Sequence, residues 1–83
     1  MVKRWRDGEG VHLDLRGLEP PEPMIAILQE IDGNSDGDVV TAVMDREPIF
    51  VYPEIEERNW TWRVAEGADP GPFVLVFSKD MPS

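Results

Sequence analysis

Residues 39 to 44, Val-Val-Thr-Ala-Val-Met, form a nearly unbroken apolar run directly after the turn cluster Asp-Gly-Asn-Ser-Asp-Gly-Asp at 32 to 38. A run this short and this rich in β-branched residues reads as a central strand covered on both faces, so the rest of the chain must supply the cover. Upstream, Met24, Ile25, Ile27, Leu28 and Ile31 recur at helical spacing behind Pro21, which predicts a helix from Pro21 to about Ile31. Before it, Val11, Leu13 and Leu15 alternate with His12, Asp14 and Arg16, the period of a strand with one buried face, until Gly17 breaks the pattern. Downstream, Pro48 can open a second helix, but Pro53 would then remove an internal hydrogen bond, so that helix is either kinked or starts late. Trp60, Trp62 and Val64 alternate, as do Phe73, Leu75 and Phe77 beyond the turn at 66 to 72, and the two runs predict an antiparallel hairpin.

The order strand, helix, strand, helix, strand, strand implies an α/β two-layer sandwich with two helices on one face of a four-stranded mixed sheet. Its expected core includes Val11, Leu13, Leu15, Met24, Ile27, Leu28, Ile31, Trp60, Trp62, Phe73 and Leu75. A chain of 83 residues suits one such domain. We expect a flexible N-terminal segment over 1–10, the domain over 11–78 and a tail over 79–83.

Charge and residue usage narrow the function classes. A net charge of −9 repels phosphate backbones and anionic lipid, so neither nucleic acid nor membrane is an expected partner. No apolar stretch approaches the roughly 20 residues that span a bilayer, and the default expectation is a cytoplasmic protein. With no cysteine, thiolate catalysis, disulfides and thiolate metal ligands are all excluded.

The stretch Leu-Asp-Leu-Arg-Gly-Leu-Glu-Pro-Pro-Glu-Pro at 13 to 23 resembles the start of the TusA and SirA-type sulfur carriers, with Asp14, Gly17, Leu18, Pro21 and Pro23 matching their Leu-Asp-x-x-Gly-Leu and Cys-Pro-x-Pro pattern. The later stretch from Arg46 to Val64 is similar to an uncharacterised bacterial family of the same fold that lacks the cysteine. The resemblance covers about residues 11 to 78 and implies the same α/β sandwich. In the carriers the cysteine sits at a helix N-terminus, where the dipole favours a thiolate. Here Pro20 occupies that position, and no other residue can form a persulfide, so sulfur carriage is rejected.

Glu19 and Glu22 stand at the expected helix start, where carboxylates can cap free N–H groups, and a sharper reading lets Arg16 and the helix N-terminus hold an anion or small ligand. Asp32, Asn34, Asp36 and Gly37 begin like a calcium loop, but Val43 stands where the bidentate acid is needed. We read a turn there, with Gly33 ending the helix in a left-handed conformation, and expect no metal site and no cofactor. His12, the lone histidine, shares a strand face with Asp14, and only Thr41 or Thr61 could approach as a hydroxyl, which is no catalytic set. The row Glu54, Glu56, Glu57 reads as a solvated helix face. The uncovered sheet face, including His12, Asp14, Arg16, Thr41, Thr61, Arg63, Val74 and Val76, mixes charge and apolar surface and suits protein contact or self-association. The expected function is a non-enzymatic TusA-like accessory or interaction module, with a small-ligand- or anion-binding, enzyme-like role at the Arg16–Glu22 turn as the alternative.

Overall fold

The computed structural model describes residues 3–34, 36–67 and 72–79. The elements run β1 (Lys3–Asp7), β2 (Gly10–Asp14), α1 (Glu22–Asp32), β3 (Val40–Met44), α2 (Val51–Glu57), β4 (Trp60–Glu66) and β5 (Phe73–Lys79). They build one mixed sheet in the order β1-β2-β3-β5-β4. The run at 39 to 44 does supply the central strand, parallel to β2 and antiparallel to β5. A parallel pair needs a crossover, and α1 provides it between β2 and β3. The Trp and Phe alternations pair as the expected antiparallel hairpin of β4 and β5, although part of its turn lies outside the described residues.

Two expectations about the sheet need correction. It has five strands, because the segment 1–10, expected to be a flexible lead-in, contains β1 antiparallel to β2. Every β1 residue is exposed, so Lys-Arg-Trp-Arg-Asp offers no hydrophobic alternation to read. What ties it down is the ladder with β2 and the ion pairs that Arg4 and Arg6 make with Glu30 and Asp38. The central strand is also covered on one face only: Val40, Ala42 and Met44 are buried, while Thr41 and Val43 are half-buried on the other face.

Apolar residues at alternate positions of β2, β3 and β5 form the sheet side of the core, and the i, i+4 pairs Ile27/Ile31 of α1 and Val51/Ile55 of α2 close it. Trp60 is buried with them. Met24, Leu28 and Trp62, expected in the core, pack against its margin and stay half-buried. Trp62 instead stacks on Tyr52 of α2, with ring centroids 4.6 Å apart.

The proline question in the second helix resolves as a late start. Phe50 is the N-cap, so Pro53 is the third helical residue, where its missing N–H would lack an intrahelical partner anyway. The α1–β3 turn is held by Asn34, buried, whose side chain both donates to the Asp38 carbonyl and accepts from the Asp38 N–H. Gly33 is right-handed, with φ −88°, contrary to the expected left-handed cap; the left-handed residue is Gly37, at φ +76°. Among the described residues no helix is long and apolar enough to cross a membrane.

Candidate functional site

Two clefts meet at the start of α1, and Pro20 lines both. The first, of about 340 Å³, lies between Leu15, Leu18, Pro23 and Met44, with Glu19, Asp45 and Arg46 supplying its polar groups. The Asp45 carboxylate anchors this end of β3 to the turn by accepting the Gly17 N–H at 2.7 Å. The second cleft, of about 360 Å³, is almost wholly apolar: Pro20, Pro21, Pro23 and Met24 form one wall, and Pro48, Ile49, Phe50 and Val51 the other. Ile49 is 56% and Phe50 78% exposed. These two residues lie between a proline and the delayed start of α2, where a turn lifts them out of any helical or strand period. Their one signal in the sequence was that an Ile-Phe pair sits in a proline-led turn.

The expected site residues of the turn separate. Arg16, in the turn just beyond β2, folds back onto the end of that strand and makes two hydrogen bonds to Asp14, at 2.9 and 2.8 Å, so its guanidinium is already engaged. It does not line either cleft; the cation between them is Arg46, which forms no ion pair among the described residues. Glu19 lines the polar cleft. Glu22 is the first residue of α1, but the expected carboxylate cap is absent: the N-cap is Pro21, without a side-chain hydrogen bond. The Glu22 N–H donates instead to the Glu19 carbonyl, and regular helical bonding begins with the Ile25 N–H on the Pro21 carbonyl. Pro23 brings no N–H to the first turn. An anion at the polar cleft would face Glu19 and Asp45 as well as Arg46.

The expected contact residues lie on the helix-free face. His12 stacks in parallel on Trp5, centroids 5.3 Å apart, and bonds Asp7 at 3.0 Å. Asp7, Glu9 and His12 bring ligand-type atoms within 4.8 Å of one another on the β1–β2 hairpin, a spacing explained by the bonds they share: the Asp7 carboxylate also accepts the Glu9 N–H. Those bonds, the backbone one first, hold the Asp7 carboxyl below its usual range. Arg63 is exposed on β4, three strands from His12.

Asp14 gives the turn a measurable acid limit. The hydrogen bonds from Arg16 lower its pKa from 3.8 to about 2, against a smaller opposing effect of burial. A depressed carboxylate contributes stability that is present above 3.8 and disappears as pH falls through about 2. Because the Arg16 side chain is 56% exposed, the contribution is modest. Urea midpoints for the wild type should therefore fall more steeply across that interval than those of Asp14→Asn; parallel curves would exclude the pair as a source of acid lability.

No curated protein and no solved structure matches the chain. A family model described as an uncharacterized conserved protein matches residues 12–79, which takes in β2 from His12, every later element and both clefts. By that match the chain belongs to the uncharacterised conserved family DUF2249.

Proposed function

We propose that the chain is a non-enzymatic, TusA-like interaction module of the bacterial cytoplasm, and that it docks a protein partner in the apolar cleft at the start of α1. The observation that carries this reading is the pairing of a prolyl wall with the exposed side chains of Ile49 and Phe50. Large apolar side chains left open beside a preformed groove favour contact with another apolar surface. TusA-like architecture is supported by the Pro21 and Pro23 pair at the head of α1 and by the β-α-β-α-β-β order from β2 onward. Pro20 occupies the place of the carriers' cysteine, so the spot that is reactive in those proteins is here part of an apolar wall.

Charge defines the partner further. Glu19, Asp45 and Glu47 edge the two clefts against the single cation Arg46, and the chain as a whole is at −9. The complementary segment presents an apolar side chain flanked by Lys or Arg. The test compares quantitative enrichment from the native host by wild type, Phe50→Asp and Val76→Asp, followed by cross-link mapping. Phe50 is exposed, so its substitution leaves the fold intact while lowering capture of the specific partner by about tenfold or more. Val76→Asp, on the other side of the sheet, retains that partner. Capture that is indifferent to Phe50→Asp, or a mapped segment without cations, would rule the reading out.

A further inference from the structure

The helix-free side of the sheet carries a second surface, distinct from the cleft. Strand register sets Trp5, His12, Thr41, Val76 and Arg63 side by side in one row across the five strands. Lys3, Asp14, Val43, Val74 and Glu66 form the next row. A register shift between Val64 and Glu66 brings Glu66, rather than Ala65, opposite Val74. The middle of both rows is β-branched and half-buried without a covering helix. At the ends, Lys3, Arg63 and Glu66 have no ion-pair partner among the described residues.

We propose that this face joins two copies of the chain in a symmetric dimer, with the two-fold axis lying between the two rows and running across the strands. Such an axis lays each strand over its own reversed copy and exchanges the rows. Arg63 of each copy then meets Glu66 of the other, Trp5 meets Lys3 as a cation–π pair, and the β-branched centres pack face to face. The perpendicular choice, an axis along β3, sets Glu66 over Lys3 and Arg63 over Trp5, so only the first arrangement brings Arg63 of one copy to Glu66 of the other.

The distribution of charge selects this face. Its charged groups, Lys3 and Arg63 against Asp7, Asp14 and Glu66, nearly balance, in a protein whose total is −9. The acidic excess therefore sits elsewhere, and two copies approach with least repulsion here. Five strands about 4.8 Å apart and two to three rows deep give a flat footprint of roughly 400 Å² per copy. A standard interface takes about 800 Å² per partner, so at about half that area the dimer is weak and transient.

Sedimentation of the full chain up to about 1 mM tests this, a range that reaches weak, transient association. Arg63→Glu and Glu66→Arg, both at exposed positions, should each weaken self-association by about tenfold or more. An equimolar mixture of these two variants should restore it, because one copy then offers two carboxylates at the crossing points and the other two guanidinium groups. An effect confined within one chain cannot produce that rescue. A wild type that stays monomeric throughout, or a mixture as weak as its components, overturns the proposal. Phe50→Asp leaves the dimer unchanged, so failure here and failure of the docking cleft are separately visible.

Discussion

Phe77→Ala is expected to lose about 3–5 kcal/mol of folding stability, the range for deleting a large aromatic from a close-packed core. Phe77 is fully buried and heads the fully buried side chains by volume. In register it stands between Val40 of the central strand and Trp62 of the edge strand, so it joins the β2–β3 half of the core to the β4–β5 hairpin. Neighbours fixed in a sheet cannot collapse far into the space it leaves, which places the cost toward the upper part of that range. For a chain of 83 residues the whole folding free energy is only about 4–12 kcal/mol. Urea unfolding should show either a transition at much lower denaturant or a largely unfolded variant. Phe50→Ala, at a residue 78% exposed, should stay within about 0.5 kcal/mol of wild type. A loss below about 1 kcal/mol at Phe77 would mean that β5 does not pack against the helices as described.

The contrast between these two phenylalanines also shows how far the sequence could be read. Phe77 was legible because it recurs at period two with Phe73 and Leu75, and the parts of the fold with a clear period, namely β2, α1 and the β4–β5 hairpin, lie where that period places them, while β3 was marked by an apolar run that gave its place but not its single covered face. Phe50 has no period, and neither does β1. An exposed edge strand tied by ion pairs to Glu30 and Asp38, about thirty residues away, presents only a local string of charges. The turn before α1 failed in a different way. Its residue types were read correctly as helix-start chemistry, but carboxylate capping competes with other partners, and here the Glu19 carbonyl meets the Glu22 N–H, Pro21 and Pro23 bring none, and Asp14 engages Arg16. Local pattern identifies which groups need partners; only the assembled chain decides which partners they find. The same limit applies to Glu66, which a strict alternation places on the helix side until the register shift turns it over.

Gly10→Ala is expected to destabilise the protein by about 3 kcal/mol or more, although it adds a single methyl group. Gly10 has φ +120°, a conformation that L side chains rarely adopt. A Cβ there would also stand 2.2 Å from the Val39 carbonyl oxygen, far inside contact distance, and the obstacle is backbone that no side-chain rotation can clear. The same oxygen accepts the Val11 N–H at 2.8 Å, the bond that seats the start of β2 against the entry to β3. Relieving the clash therefore means separating the parallel pair at the centre of the sheet. Gly8, two residues earlier in the same hairpin, has no atom within 4 Å of a Cβ, so Gly8→Ala should stay within about 0.5 kcal/mol of wild type. In thermal melts the two variants should differ by about 12–24 °C, since each kcal/mol moves a domain of this size by about 4–8 °C. Equal melting temperatures would show that β2 enters the sheet without the close approach at Val39. Because β2 is the only strand with which β1 pairs, the Gly10 variant should also loosen the β1 end of the helix-free face, visible as exchange-broadened amide signals from Lys3 to Asp7 while β5 remains sharp.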